Sequence, residues 1–289
     1  MRYFFILLSS ILLLFSFRVA AQTEGDWRDK MLLLVYAPRY FGPNAFPLPE
    51  LRSGKAPVRY EVEMRGEYHA YSGDKTQDLF LRALLPIVKG RAGIEIRFVA
   101  LEKYKLTPET RDERNAAETE CPPNEKYNGD LTISAFYQLL RSEKWADALF
   151  GLHLKTATGG RLCDARFTDA ATYWVDLTAG KDLLKSKNQR YALRLQALAG
   201  FYCWMTNDMI HRQNDAFLYG AGLTGIFRPF EFSSSLAGFS GYKNNGDHPL
   251  LWRNNLQFEY RNHILSFHYV HGMKDSLYET YSAGYIFRF

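Results

Sequence analysis

The sequence predicts an all-β chain, a transmembrane antiparallel β-barrel of about 12 strands behind a short Pro-rich N-terminal segment. Three observations carry this expectation. The first is strict alternation over segments of about ten residues, the length a tilted strand needs to cross a bilayer. In "VRYEVEMRGEYHAY" (58–71), odd positions Arg59, Glu61, Glu63, Arg65, Glu67 and His69 hold all the charge, and even positions Val58, Tyr60, Val62, Met64, Tyr68 and Ala70 are apolar. Successive strand side chains point to opposite faces, so this ribbon has one charged side and one greasy side. The second is that beyond residue 21 no apolar run approaches a helical span; "MLLLVYA" (31–37) is far too short. Only helices and closed barrels satisfy the backbone in lipid, so a membrane-embedded version of this chain must be a barrel. The third is aromatic content of 16%, with 19 Tyr and 21 Phe, which suits interfacial girdles.

The chain divides into three parts. Arg2, the apolar run Tyr3 to Phe17 and the small-residue site Val19-Ala20-Ala21 predict a secretory signal peptide over 1–21, cleaved before Gln22. The apolar run is short for an uncleaved anchor, which needs about 20 residues. No Cys follows the cleavage site, so no lipoprotein anchor is expected. Residues 38–57, "PRYFGPNAFPLPELRSGKAP", hold Pro38, Pro43, Pro47, Pro49 and Pro57. Proline lacks the N–H that a ladder requires, so 38–57 is not a membrane strand. A periplasmic lead-in is the simpler expectation for 22–57, and a plug folded back into the lumen is the alternative. Residues 58–289 form the barrel. The formal net charge of +5 is mild and dispersed, and two of the basic residues, Arg2 and Arg18, lie in the leader, so nucleic acid is excluded as a partner.

Alternation recurs along the rest of the chain. The second strand (77–88) sets Leu79, Leu81, Ala83, Leu85 and Ile87 on one face. The third (93–104) sets Ile94, Ile96, Phe98 and Ala100 against Glu95 and Arg97. The fourth (129–140) opposes Ile133, Ala135 and Tyr137 to Thr132, Ser134 and Gln138. The fifth (148–157) opposes Phe150, Leu152 and Leu154 to His153 and Lys155. The sixth (171–181) opposes Tyr173, Val175 and Leu177 to Asp176 and Thr178. In the seventh (189–206), the odd-numbered residues from Tyr191 to Met205, Cys203 among them, oppose Arg194 and Gln196. The eighth (215–227) and ninth (230–242) are Gly- and Ser-rich. The tenth (250–261) opposes Trp252, Leu256, Phe258 and Tyr260 to Arg253, Glu259 and Arg261. The eleventh (263–272) and twelfth (279–289) put Leu265, Phe267 and Tyr269, then Tyr281, Tyr285, Phe287 and Phe289, on one face.

Connections after the second, fourth, eighth and tenth strands are compact, and those near 105–128 and 158–170 are long. Short periplasmic turns and longer outer loops are the asymmetry of a bacterial barrel, with both ends of the barrel on the inner side.

The chain ends "SAGYIFRF". Ser282, Gly284, Phe287 and Phe289 form a pattern that resembles the C-terminal assembly signal of bacterial outer-membrane β-barrel proteins. That resemblance implies the outer membrane of a Gram-negative bacterium, with outer-membrane lipid and the barrel-assembly machinery as partners. Through "YFGPNAFPLPE" (40–50) the chain is also similar to porin-like outer-membrane proteins of Bacteroidetes-type bacteria, a likeness that implies no activity. Twelve strands are also the architecture of the outer-membrane phospholipase A family, which uses His-x-Ser facing lipid. Here Ser266 and His268 stand in the reverse order, and the apolar Leu265, Phe267 and Tyr269 turn them inward.

The expected lumen lining mixes signs: Arg59, Glu61, Glu63, Arg65, Glu67, Arg82, Glu95, Arg97, Lys155, Asp176, Arg194, Arg253, Glu259 and Arg261. Cross-strand pairing among them suits either a filled interior or a narrow pore. A porin-like channel for small solutes is the favoured function. A non-conducting surface barrel whose outer loops bind a partner is the alternative, and a barrel lipid hydrolase is a remote one. No enzyme chemistry is expected. His69, His153, His211, His248, His263 and His271 show no metal spacing, and no cofactor or metal is expected. Cys121 and Cys163, both in outer loops, are candidates for a disulfide that export permits.

Overall fold

Alternation at period two, sustained twelve times, closes on itself. The computed structural model describes residues 33–116, 127–188 and 190–289. It is a closed antiparallel barrel in which each strand pairs with its sequence neighbours and the last pairs with the first. The strands are β1 (Glu61–Tyr71), β2 (Asp74–Val88), β3 (Ala92–Leu106), β4 (Leu131–Leu140), β5 (Asp147–Lys155), β6 (Thr172–Lys185), β7 (Tyr191–Met205), β8 (Gln213–Phe227), β9 (Phe230–Gly241), β10 (Leu250–Tyr260), β11 (His263–Lys274) and β12 (Glu279–Arg288). All are 9 to 15 residues long, enough to span a bilayer at a tilt. A single-turn helix, α1 (Pro108–Glu113), sits in the β3–β4 connection, capped by Thr107. Among the described residues no helix is long and apolar enough to cross a membrane.

The two ends differ. One carries the connections 107–130, 156–171, 206–212 and 242–249, and the other carries short turns and the barrel's C-terminal end. We refer to these as the long-loop and short-turn ends. The strand bounds expected from the sequence leave 182–188 between the sixth and seventh strands, but the β6–β7 connection is 186–190, because β6 runs on to Lys185.

The outer face is an apolar band that includes Met64, Leu152, Leu177, Leu195, Leu223, Leu256 and Phe267, all exposed. The inner face carries the charge, with Glu63, Glu95, Arg194 and Lys155 buried. One local break changes this pattern. Between Leu79 and Phe80, β3 holds one extra residue, so Leu79 opposes Leu101 while Phe80 opposes Val99. A bulge of this kind flips the strand's alternation. Beyond it Glu102 and Tyr104 turn inward, and Ala100, expected on the lipid face, is buried.

Closure is sealed at the C-terminus. Tyr60 and Phe289 exchange backbone hydrogen bonds of 3.0 and 2.9 Å. Their rings stack at 5.6 Å, and Phe289 also stacks on Phe287 at 5.6 Å. Strand β1 runs from Glu61, three residues later than the alternation suggested, and the Tyr60–Phe289 pair extends its ladder to β12.

The signal peptide lies outside the described residues, as does Cys121. Cys163 is disulfide-bonded, and Cys203 is free. Cys203 stands opposite Tyr173 on the outward face but is covered by its neighbours, at 1% exposure.

Candidate pore and the segment inside it

Prolines keep residues 33–57 out of the sheet, and the space left to them is the lumen. The segment begins at the long-loop end, where Leu34 O accepts from Asn207 Nδ2 at 2.8 Å and Gly42 N–H donates to Ala165 O at 2.8 Å. It ends at the short-turn end, where Pro57 O accepts from Gly90 N–H at 2.9 Å. The chain thus threads the barrel lengthwise, not the periplasmic lead-in that was the simpler expectation.

The upper half of the segment is apolar and packs as a core. Tyr36, Phe41 and Phe46 join Trp174, Tyr202, Trp204 and Phe239 of the wall in one buried cluster. Tyr36–Phe41, Phe41–Phe46 and Phe46–Trp204 are edge-to-face pairs at 5.3, 5.6 and 5.8 Å, a favoured aromatic geometry. Trp204 Nε1 donates to Tyr36 O at 2.8 Å. Burial, with Asp169 adding to it, pushes the Tyr36 phenol up to about 12.

Charged groups fix the loops over this core. Arg166, on the β5–β6 connection, is fully buried and bonds Asp74 at 2.5 Å and Glu102 at 2.8 Å. Arg114, after α1, reaches the same Asp74 at 2.8 Å. Gly42 leaves room for this arginine, because a Cβ on it would stand 2.7 Å from the Arg166 guanidinium carbon. Nearby, burial raises the Asp130 carboxyl even though Lys155 bonds it at 2.5 Å.

The lower half of the segment is polar and is held by the lumen charges. Arg52 bonds Glu95 at 2.6 Å and lies over the Phe136 ring at 4.1 Å. Glu50 bonds Arg97 at 2.7 Å. Arg253 Nη1 donates to Pro49 O and Arg194 Nε to Ser53 O, each at 2.7 Å. The backbone runs tight against β6: a Cβ on Gly180 would meet Ser53 O at 2.1 Å. Cavities of about 600 and 530 Å³ flank this stretch at the short-turn end, and a smaller one of about 180 Å³ lies above.

Most predicted lining residues do face the lumen. Glu61, Glu63 and Glu95 surround Arg82 at 3.0, 2.7 and 3.3 Å. Arg65 bonds Glu63 and Glu67. Arg194 bonds Asp147, Asp176 bonds His153, and Glu259 bonds Arg288. Two predicted residues are placed elsewhere. Arg261 sits exposed in the β10–β11 turn with φ 57°, its guanidinium over Tyr260, so it lines nothing. Arg59 precedes β1 and stands exposed at the rim of the larger cavity. Ser282, Gly284, Phe287 and Phe289 all lie at the closing strand. Ser266 and His268 face inward, with His268 Nδ1 2.7 Å from Asn255 Oδ1.

The sequence reading missed Asp74, Asp78 and Glu102 of the wall and Glu50 and Arg52 of the segment. The β3 bulge hid Glu102, and Glu50 and Arg52 lie in a stretch with no periodicity to read.

No protein-family model matches the sequence, and no curated protein does. Among solved structures the chain resembles the COG4313 outer membrane channel from Pseudomonas putida F1, at 13% identity and TM-score 0.55, covering 83% of this chain and all of that one. It also resembles the NanC porin, at 11% identity and TM-score 0.54, covering 79% of this chain and all of that one. The fold is thus that of an outer-membrane-type β-barrel.

Proposed function

We propose that the protein is a porin-like passive channel for small solutes in the outer membrane of a Gram-negative bacterium, closed in this conformation by its own residues 33–57. The observation that carries this is how the segment is held. It contributes no strand to the barrel, and side-chain contacts anchor its lower half between two cavities. Displacing it breaks no wall ladder. The charges it would uncover include Arg52's partner Glu95 and Glu50's partner Arg97, so the opened lumen carries both signs and discriminates weakly between ions. Export by the 1–21 leader and delivery to the barrel-assembly machinery through the Ser282–Phe289 pattern belong to the same proposal, which assigns the protein no enzyme activity.

Planar-bilayer conductance is the test. The full chain should rest closed with rare openings, and deletion of 33–56 should give long-lived open levels. A deletion variant that keeps heat-modifiable electrophoretic mobility yet carries no current would overturn the channel. One feature favours the alternative of a non-conducting surface barrel: the aromatic cluster and the Asp74–Arg166–Glu102 network pack together at the long-loop end.

A further inference from the structure

We propose that Glu67, His69 and Asp78 form a binding site for one divalent first-row transition cation of the Zn²⁺ type in the barrel wall. Glu67 and Asp78 stand directly opposite each other across β1 and β2, and His69 lies two residues along on the same face. One donor atom from each side chain lies within 4.8 Å of the other two. An ion bound at about 2.0–2.2 Å needs its donors about 3–3.5 Å apart, a gap that side-chain rotation closes.

Two further facts point to a ligand. Asp78 Oδ1 is buried and has no hydrogen-bond partner, and the Asp78 side chain is 0% exposed. A buried carboxylate oxygen left bare is costly, and directly opposed like charges destabilise a sheet. A cation between the two carboxylates removes both penalties. Arg65, 2.8 Å from Glu67, is shared with Glu63, and His69 lies 2.8 Å from Asp78. The second fact is the His69 ring, whose Nδ1 is 2.7 Å from Thr280 Oγ1. With Nδ1–H donating to that hydroxyl, Nε2 turns its lone pair toward the carboxylates, the outer contact that orients a metal-binding imidazole. In the cationic ring Nε2 carries the proton that faces Asp78, and metal binding displaces that proton to water and frees this lone pair.

One imidazole nitrogen and two carboxylate oxygens suit Zn²⁺, Co²⁺ or Mn²⁺ better than Ca²⁺ or Mg²⁺, which prefer all-oxygen shells. Glu67 and His69 line the 180 Å³ cavity, so an ion reaches them from the lumen. Asn44 of the internal segment donates to Asp78 at 2.7 Å, which places the ion beside one of the segment's own anchors. The site stands whether or not the barrel conducts.

The test is titration of the full chain, stripped of metal in detergent, with ZnCl₂ by calorimetry and with Co²⁺ by its visible absorption. One saturable equivalent is expected, unaffected by millimolar Mg²⁺ or Ca²⁺. His69→Ala and the near-isosteric Asp78→Asn should each weaken binding by about tenfold or more, whereas His271→Ala, which removes a half-exposed imidazole elsewhere, should not. Heat-modifiable mobility verifies that each variant is folded. Absence of a saturable equivalent in the unaltered protein overturns the site, as does a folded Asp78→Asn variant that binds Zn²⁺ like the parent. If neither variant folds, X-ray absorption of the parent's Zn²⁺ complex decides, and a shell without imidazole overturns the site.

Discussion

Which face a residue occupies decides what its substitution costs. Leu152 is on the outer face near the middle of β5, 50% exposed. Leu152→Arg should cost about 2–4 kcal/mol, the midplane penalty, whereas Val62→Arg, one residue from the end of β1, should cost about 0–1 kcal/mol. Urea titration of both variants refolded in lipid vesicles reads the difference. On the inner face Glu95 has no exposed surface and serves Arg52, Arg82 and Arg97 together. Removing its charge leaves three guanidiniums around a neutral amide, so Glu95→Gln should cost about 3–5 kcal/mol, as breaking a buried pair does. Because one of the three belongs to the internal segment, the same variant should open more often in a planar bilayer. An unchanged closed fraction would mean that Arg52 does not hold the segment.

At the scale of elements, the segment 33–57 has a direction that labelling can read. Leu33, 62% exposed, stands at the long-loop end, and Arg59 stands exposed at the short-turn end. In a background lacking the native cysteines, a membrane-impermeant maleimide should label Leu33→Cys on intact cells and Arg59→Cys only after the outer membrane is breached. The reverse pattern would invert the barrel. The contact with β6 gives a second check. Gly180→Ala places a methyl where Ser53 O now lies, 2.1 Å away, and backbone cannot yield there as a flexible side chain does. The strand, paired on both sides, holds its place, so the segment moves and openings lengthen.

The whole molecule depends on how its first and last strands meet. Tyr60 and Phe289 close the ring by two backbone hydrogen bonds and a ring stack. Deleting Phe289 removes the stack and the terminal aromatic of the assembly pattern together. Yield of heat-modifiable protein in outer membranes should fall, while Phe289→Tyr, which keeps the aromatic, should restore it. Purified protein lacking Phe289 should still refold in micelles, because the other ladders between neighbouring strands are intact. Equal loss in cells and in micelles would assign Phe289 to folding alone.

Approximate strand number, strand order and the in–out sense of most positions outside the Gly- and Ser-rich β8 and β9 were legible in the sequence, because they follow from a period of two that each segment carries within itself. Turn lengths at the two ends followed from the same count. Ala100 and Glu102 were not legible, because a bulge inserts one residue without marking it in the pattern. The course of residues 33–57 was not legible either. Their prolines say only that they avoid the sheet, and their partners Glu95, Arg97, Arg194 and Trp204 come from strands scattered along the chain. The same holds for Glu67, His69 and Asp78, whose spacing matches no metal motif because one donor comes from the neighbouring strand. Local alternation decides which way a side chain points. What it meets inside the barrel depends on contacts made only once the barrel has closed.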